Sequence, residues 1–151
     1  MKLVNLLVIL SVSILPLVNA DDIRVGHTSA LTGPASALGK GMRDGMQAYF
    51  SMINGKGGIN GNTISLHAMD DGYEPKRCAP NMRSLINDKK VMAVLGNVGT
   101  PTAVVSVPIA NKLKTPLFGA FTGAGLLRKT PADRYILNFR ASYAEETEAM
   151  I

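Results

Sequence analysis

The stretch Val91-Met92-Ala93-Val94-Leu95-Gly96-Asn97-Val98-Gly99-Thr100-Pro101-Thr102, residues 91–102, decides how this chain is read. Its first five residues are apolar without alternation, the pattern of a parallel strand covered on both faces. The glycines that follow break the strand. Thr100 is then expected to cap a helix, with Pro101 at the first helical position, where its missing N–H costs nothing. Pro108 is expected to end or kink that helix after two turns. A buried strand running through a glycine turn into a helix is half of a β-α-β unit.

The same unit repeats on both sides. Upstream, Ile23 to Ser29 is β-prone, and Leu31 to Gly39 is a Gly/Pro/Ser loop. Met42, Met46, Tyr49 and Ile53 then recur at helical spacing and predict one apolar stripe. The glycine-rich connector Asn54 to Asn62 leads to a strand at Thr63 to Met69, closed by Asp70-Asp71-Gly72. Pro75 opens a helix expected to bury Cys78, Met82, Leu85 and Ile86. Downstream, Leu117 to Ala120 and Tyr135 to Arg140 read as strands, and Ser142 with Glu145 forms a capping box for a last helix. Alternating strands and helices predict an α/β domain with a doubly wound, mainly parallel sheet.

Composition narrows the function classes. The chain has 151 residues, 46% hydrophobic and 18% charged, so disordered and fibrous classes are excluded. Its net charge of +5 is scattered, and with no Trp, four Tyr and four Phe there is little to stack on bases, so no nucleic-acid partner is expected. One cysteine, Cys78, excludes an internal disulfide and a multi-cysteine zinc site.

The first residues read as a targeting segment. Lys2 is the positive head, Leu3 to Val18 the apolar run, and Val18-Asn19-Ala20 a small-residue cleavage site. Residues 1–20 are thus expected to be a secretory signal peptide, and the product a soluble exported protein beginning at Asp21. No cysteine stands at the cleavage point to carry a lipid. Beyond it, no second apolar run is long enough to cross a bilayer.

Enzymatic chemistry finds no assembled site in the pattern. Gly33 and Gly39-Lys40 resemble a phosphate loop, but the spacing is one residue too long and Gly41 replaces the metal-binding hydroxyl. Gly39, Gly41 and Gly45 miss the dinucleotide fingerprint at their last interval, so no nucleotide cofactor is expected. His27 and His67 both fall in strands, as hydrogen-bonded sheet histidines rather than metal ligands. Asp70 and Asp71 read as turn formers and a helix entry rather than a cation site. Ser29, Ser36 and Ser106 lack the setting of a nucleophile. Cys78 lies on an apolar helix face, as a buried, inert thiol. No catalytic residue, metal or cofactor is assigned.

The strongest positive signal is the helix start after Gly99. Two hydroxyls, the backbone N–H groups of Thr100 to Thr102 and the positive end of a helix dipole point to one spot suited to a carboxylate. Simple capping by Thr100 is the alternative. Phe121-Thr122-Gly123, after the next strand, is expected beside it, with an apolar wall, a hydroxyl and an approachable backbone.

Taken together, several motifs give the chain from Ile23 to Ile151 a family resemblance. They are Leu31-Thr32-Gly33-Pro34 with Gly39, the turn Asn54 to Ile59, Asp70-Asp71 before Pro75-Lys76, the loop Gly96 to Thr102, and Pro116 to Gly123. The sequence resembles the type I periplasmic solute-binding proteins of ABC transporters, in the leucine/isoleucine/valine-binding branch. The resemblance implies a two-lobed, hinge-closing protein that encloses an amino acid or similar small carboxylate and passes it to a membrane permease. It implies ligand contacts at Thr100, Pro101, Thr102, Phe121, Thr122 and Gly123, and at Leu38, which stands where the branched-chain binders carry an aromatic residue. Gly123 stands where they carry a hydroxyl, with Thr122 beside it. Tyr73 and Gly99 stand where they carry a bridging cysteine pair. Residues 21–140 are expected to form the N-terminal lobe and 141–151 to begin the crossing into a second lobe beyond this chain. An exported ligand-sensing module built on the same lobe is the alternative function.

Overall fold

The computed structural model describes residues 22–151, so the expected signal peptide lies outside the described residues. Five parallel strands form one sheet in the order β2-β1-β3-β4-β5. They are β1 (Asp22–Ser29), β2 (Thr63–Asp70), β3 (Ala93–Leu95), β4 (Leu117–Phe118) and β5 (Ile136–Leu137). The helices between them are α1 (Ser36–Gly55), α2 (Pro75–Asn87) and α3 (Thr100–Lys112), with a short α4 (Tyr143–Glu148) after β5. A sheet that starts at β1 and grows first to one side and then to the other, with right-handed crossovers, places α1 on one face and α2 and α3 on the other. The switch in direction falls between β1 and β3. There the carboxyl ends of adjacent strands part, which is where such sheets leave a crevice.

The core lies between the sheet and α2 with α3. Cys78, Met82 and Leu85 of α2 and Val107, Ile109 and Ala110 of α3 pack on Val94, Leu117 and Ile136. Burial on this scale carries both helices through internal prolines, Pro80 and Pro108. The expected break at Pro108 does not occur: α3 runs on to Lys112, because Ser106, Val107, Ile109 and Ala110 around the proline are all held in the interior. The strands at positions 91–95, 117–120 and 135–140 are shorter than the sequence predicts, and Met92 is 63% exposed rather than covered on both faces.

The α1 face is thinner. Helix α1 begins at Ser36, inside the expected loop, and Gly39 is its one fully buried residue. Eleven residues is about three turns, so Phe50 returns to the azimuth of Gly39 while Tyr49 falls roughly a quarter turn away. Phe50 is accordingly half-buried, and Tyr49, assigned to the stripe by sequence, is exposed. Near β4 and β5 this face leaves Phe118, Leu137 and Phe139 exposed. Among the described residues no helix is long and apolar enough to cross a membrane.

Candidate functional site

The loops at the carboxyl ends of β3 and β4 are knitted together as a short continuation of the sheet. Val98 and Phe121 form a parallel bridge. The Phe121 N–H donates to the Asn97 carbonyl at 2.6 Å, and the Gly99 N–H to the Phe121 carbonyl at 3.3 Å. Asn97, fully buried, anchors the arrangement to α3 by donating from Nδ2 to Ser106 Oγ at 2.7 Å.

This pairing sets two hydroxyls against each other. Thr100 Oγ1 lies 2.7 Å from Thr122 Oγ1, so the expected neighbours do meet. It also shows that the hydroxyl of the second loop is Thr122 itself, with Gly123 serving another purpose. Thr100 does not cap α3: Gly99 occupies the cap position, with no side-chain cap bond, and Thr100 is the first helical residue. Thr102 departs from expectation as well. Its hydroxyl is buried and donates backwards to the carbonyls of Val98 (2.6 Å) and Gly99 (3.0 Å), so it closes the helix start and faces no ligand. Pro101 carries no N–H, which leaves the first-turn donors to Thr100 and Thr102. Leu38 is half exposed in the first turn of α1, where its N–H donates to the Ala35 carbonyl at 3.1 Å.

Sequence reading missed two participants. Tyr143 donates its backbone N–H to the Gly123 carbonyl at 2.9 Å, and its phenol lies 3.1 Å from Thr122 Oγ1. A Cβ on Gly123 would stand 2.5 Å from the Tyr143 ring, so glycine is what lets the ring seat there. The Thr122 hydroxyl first, and then that of Thr100, draw the Tyr143 phenol below its ordinary value. Arg140 stacks over both Phe121 (5.3 Å) and Tyr143 (5.4 Å), and two bonds to the Glu146 carboxylate hold it there. The only sequence signal for either residue was the Ser142 and Glu145 capping box, which the structure contains and which fixes where Tyr143 leaves the strand end.

A concavity of about 410 Å³ lies beside these residues, lined by Met42, Gly119, Ala120, Phe121, Phe139 and Arg140. A second groove of about 400 Å³ runs between α2 and α3 past Arg83, Val104 and Lys112. Helices return antiparallel to the strands in this topology, so that groove sits on the outer helical surface, away from the strand ends.

The remaining polar candidates are structural. Asp70 accepts from the N–H groups of Leu31, Thr32 and Gly72, from the Thr32 hydroxyl and from Arg77. Burial opposes its charge, but the bonds from Thr32, Leu31, Gly72 and Arg77 outweigh it and hold the carboxyl well below the usual range. Asp71 is buried, with its value raised by that burial, and accepts from the Thr28 hydroxyl and the Tyr73 N–H. His27 sits opposite Ala68 and His67 opposite Gly26, so the pleat sends the two histidines to different faces and they form no pair. His27 donates from Nδ1 to the Leu95 carbonyl at 2.8 Å, leaving Nε2 to accept from Ser29 Oγ at 2.7 Å. Burial lowers its value, which favours this neutral form. Cys78 is a buried free thiol, pushed up to about 11 by burial, with Sγ 3.2 Å from Ser106 Oγ. Among the described residues no cluster of His, Cys, Asp or Glu has the makings of a metal site.

The parallel sheet, its strand order and its helices are those of one lobe of the type I periplasmic-binding-protein fold. The chain belongs to the periplasmic binding protein family, whose model matches residues 22–151. It is similar to the crystal structure of a possible leucine/isoleucine/valine-binding protein from Rhodopirellula baltica, at 52% identity and a TM-score of 0.82, over 88% of this chain and 35% of that one. It is also similar to the branched-chain amino acid transporter substrate binding protein LivJ of Streptococcus pneumoniae, solved with isoleucine (28% identity, TM-score 0.70, 78% of this chain and 33% of that one). Among curated proteins it is 32% identical to the Leu/Ile/Val-binding protein BraC3 of Rhizobium johnstonii over 113 residues, 75% of this chain and 29% of that relative. The chain therefore spans about 29% of that relative's length.

Proposed function

We propose that residues 21–140 are the N-terminal lobe of an extracytoplasmic solute-binding protein, and that Thr100, braced by the buried Thr122, receives the carboxylate of an amino acid or similar small solute. The observation that carries this reading is the 2.7 Å approach of the two hydroxyls at the first turn of α3, at the carboxyl ends of β3 and β4. A carboxylate there gains the Thr100 hydroxyl, the first-turn N–H groups and the positive end of the α3 dipole. Phe121, 41% exposed, supplies an apolar wall, whereas Gly123, expected as an approachable backbone, is buried beneath the Tyr143 ring. Capture is by contact and hinge closure, with no covalent step.

Membership of the family supports a wider reading. Residues 1–20 are a signal peptide, residues 141–151 start the crossing into a second lobe, and the solute passes to the permease of an ABC transporter. Affinity in such a protein comes from enclosing the solute on both sides, and the lobe described supplies the contacts to the carboxylate. Calorimetric titration with L-leucine, L-isoleucine, L-valine and small carboxylates tests it. Weak binding that requires the carboxylate is expected. Equal binding of the corresponding amides would contradict it.

A further inference from the structure

We propose that Tyr143 is a positioning residue for the solute site, acting through Thr122 to keep the Thr100 hydroxyl proton turned outward. The inference rests on the carboxylate reading above and names what controls that site.

A hydroxyl has one proton to give and two lone pairs. One lone pair of Thr122 Oγ1 is taken by the Ala124 N–H at 3.2 Å. Its one proton and its other lone pair must then serve Thr100 at 2.7 Å and Tyr143 at 3.1 Å. The chain of hydroxyls consequently runs in one of two senses. If Tyr143 donates to Thr122 and Thr122 to Thr100, the Thr100 proton is free for an external acceptor. If Thr100 donates to Thr122 and Thr122 to Tyr143, the Thr100 proton is spent inside the protein. A phenol is the stronger acid and the better donor, so the first sense is favoured, and it makes Thr100 a donor to an anion.

Tyr143 holds this place from several directions. Its N–H is tied to Gly123, its ring lies against Gly123, and Arg140, itself held by Glu146, stacks on its ring. Removing only the phenol oxygen keeps these contacts, frees the second lone pair of Thr122, and lets Thr100 turn inward to fill it.

The test uses the full chain and acetate as the probe, with dissociation constants from nuclear magnetic resonance titration. Tyr143→Phe should weaken acetate binding by about three- to tenfold, the worth of one oriented hydrogen bond. Thr122→Val should do the same, and the double variant should bind no worse than Thr122→Val alone, because the hydrogen bond of the phenol is made to Thr122. In the unaltered chain, acetate should shift the Cζ resonance of Tyr143 more than those of Tyr49 and Tyr135. A Tyr143→Phe variant that binds acetate as tightly as the unaltered chain overturns the proposal, as does a loss that persists undiminished in the Thr122→Val background. Absence of any acetate response at Thr100 in the unaltered chain would instead remove the carboxylate site itself, and this inference with it.

Discussion

The Tyr73 ring lies directly over Gly99: a Cβ on Gly99 would overlap the ring. The two loops at which the family resemblance implies a bridging cysteine pair are joined here by an aromatic side chain seated on a glycine. Both backbones adopt left-handed conformations to allow it, with φ of +70° at Tyr73 and +97° at Gly99. The contact holds the helix-entry loop of α2 against the loop that opens α3, so it supports the solute site without reaching it.

Gly99→Ala is therefore expected to destabilise the fold by about 2–4 kcal/mol, from a backbone region open essentially only to glycine and from overlap with the ring. Urea denaturation measures it. Adding Tyr73→Ala should restore part of the loss, since it removes the overlap and leaves the backbone strain. A strictly additive double variant would show that the ring is not what Gly99 accommodates.

Acidification should destabilise the chain in two stages. His27 has a lowered value in the fold, so its neutral form contributes fully above about pH 6.5 and is lost as pH falls below that. Asp70 also has a lowered value, so its contribution is complete above about pH 4 and is lost below it. Asp71, with a raised value, works in the opposite sense and is relieved by acid. Chemical denaturation between pH 7 and pH 3 should show both stages. Asp70→Asn should cost about 1.5–3 kcal/mol at pH 7, the worth of a hydrogen bond to a charged group, and remove the lower stage. A lower stage unchanged in Asp70→Asn would contradict the assignment.

Cys78 should behave as an inert thiol. Burial and the rise to about 11 leave little thiolate at neutral pH, so a disulfide reagent should modify the native chain at least about a hundredfold more slowly than the unfolded chain. Complete labelling of the native chain at the unfolded rate would show that α2 does not shield it.

Much of this architecture is legible in the sequence because periodicity reports burial. Val91 to Leu95 announced a central strand, and Cys78, Met82 and Leu85 announced the inner face of α2. The stripe of α1 was misjudged at Tyr49 because its face is only half covered, which weakens the apolar contrast that periodicity detects. At the site, the meeting of Thr100 and Thr122 was legible from their places after adjacent strands. What Thr102 does was not, because a hydroxyl in a first helical turn can face outward or bond back to the preceding turn with the same residues around it. The approach of Tyr143 and Arg140 to the site was not legible, for another reason. They reach the site by folding back from beyond β5, and nothing local marks such a long-range contact.

The most direct test of the account compares two threonines two residues apart. Thr100 presents its hydroxyl at the strand ends, whereas the Thr102 hydroxyl is spent on the carbonyls of Val98 and Gly99. Acetate binding is to be measured by titration for Thr100→Ala and Thr102→Ala, with urea denaturation of each. Thr100→Ala should weaken binding about tenfold or more, equivalent to about 1.5–3 kcal/mol, with little change in stability. Thr102→Ala should cost about 1 kcal/mol of stability and leave binding by the folded chain near its original strength. Unchanged acetate affinity in a folded Thr100→Ala variant would contradict the central claim.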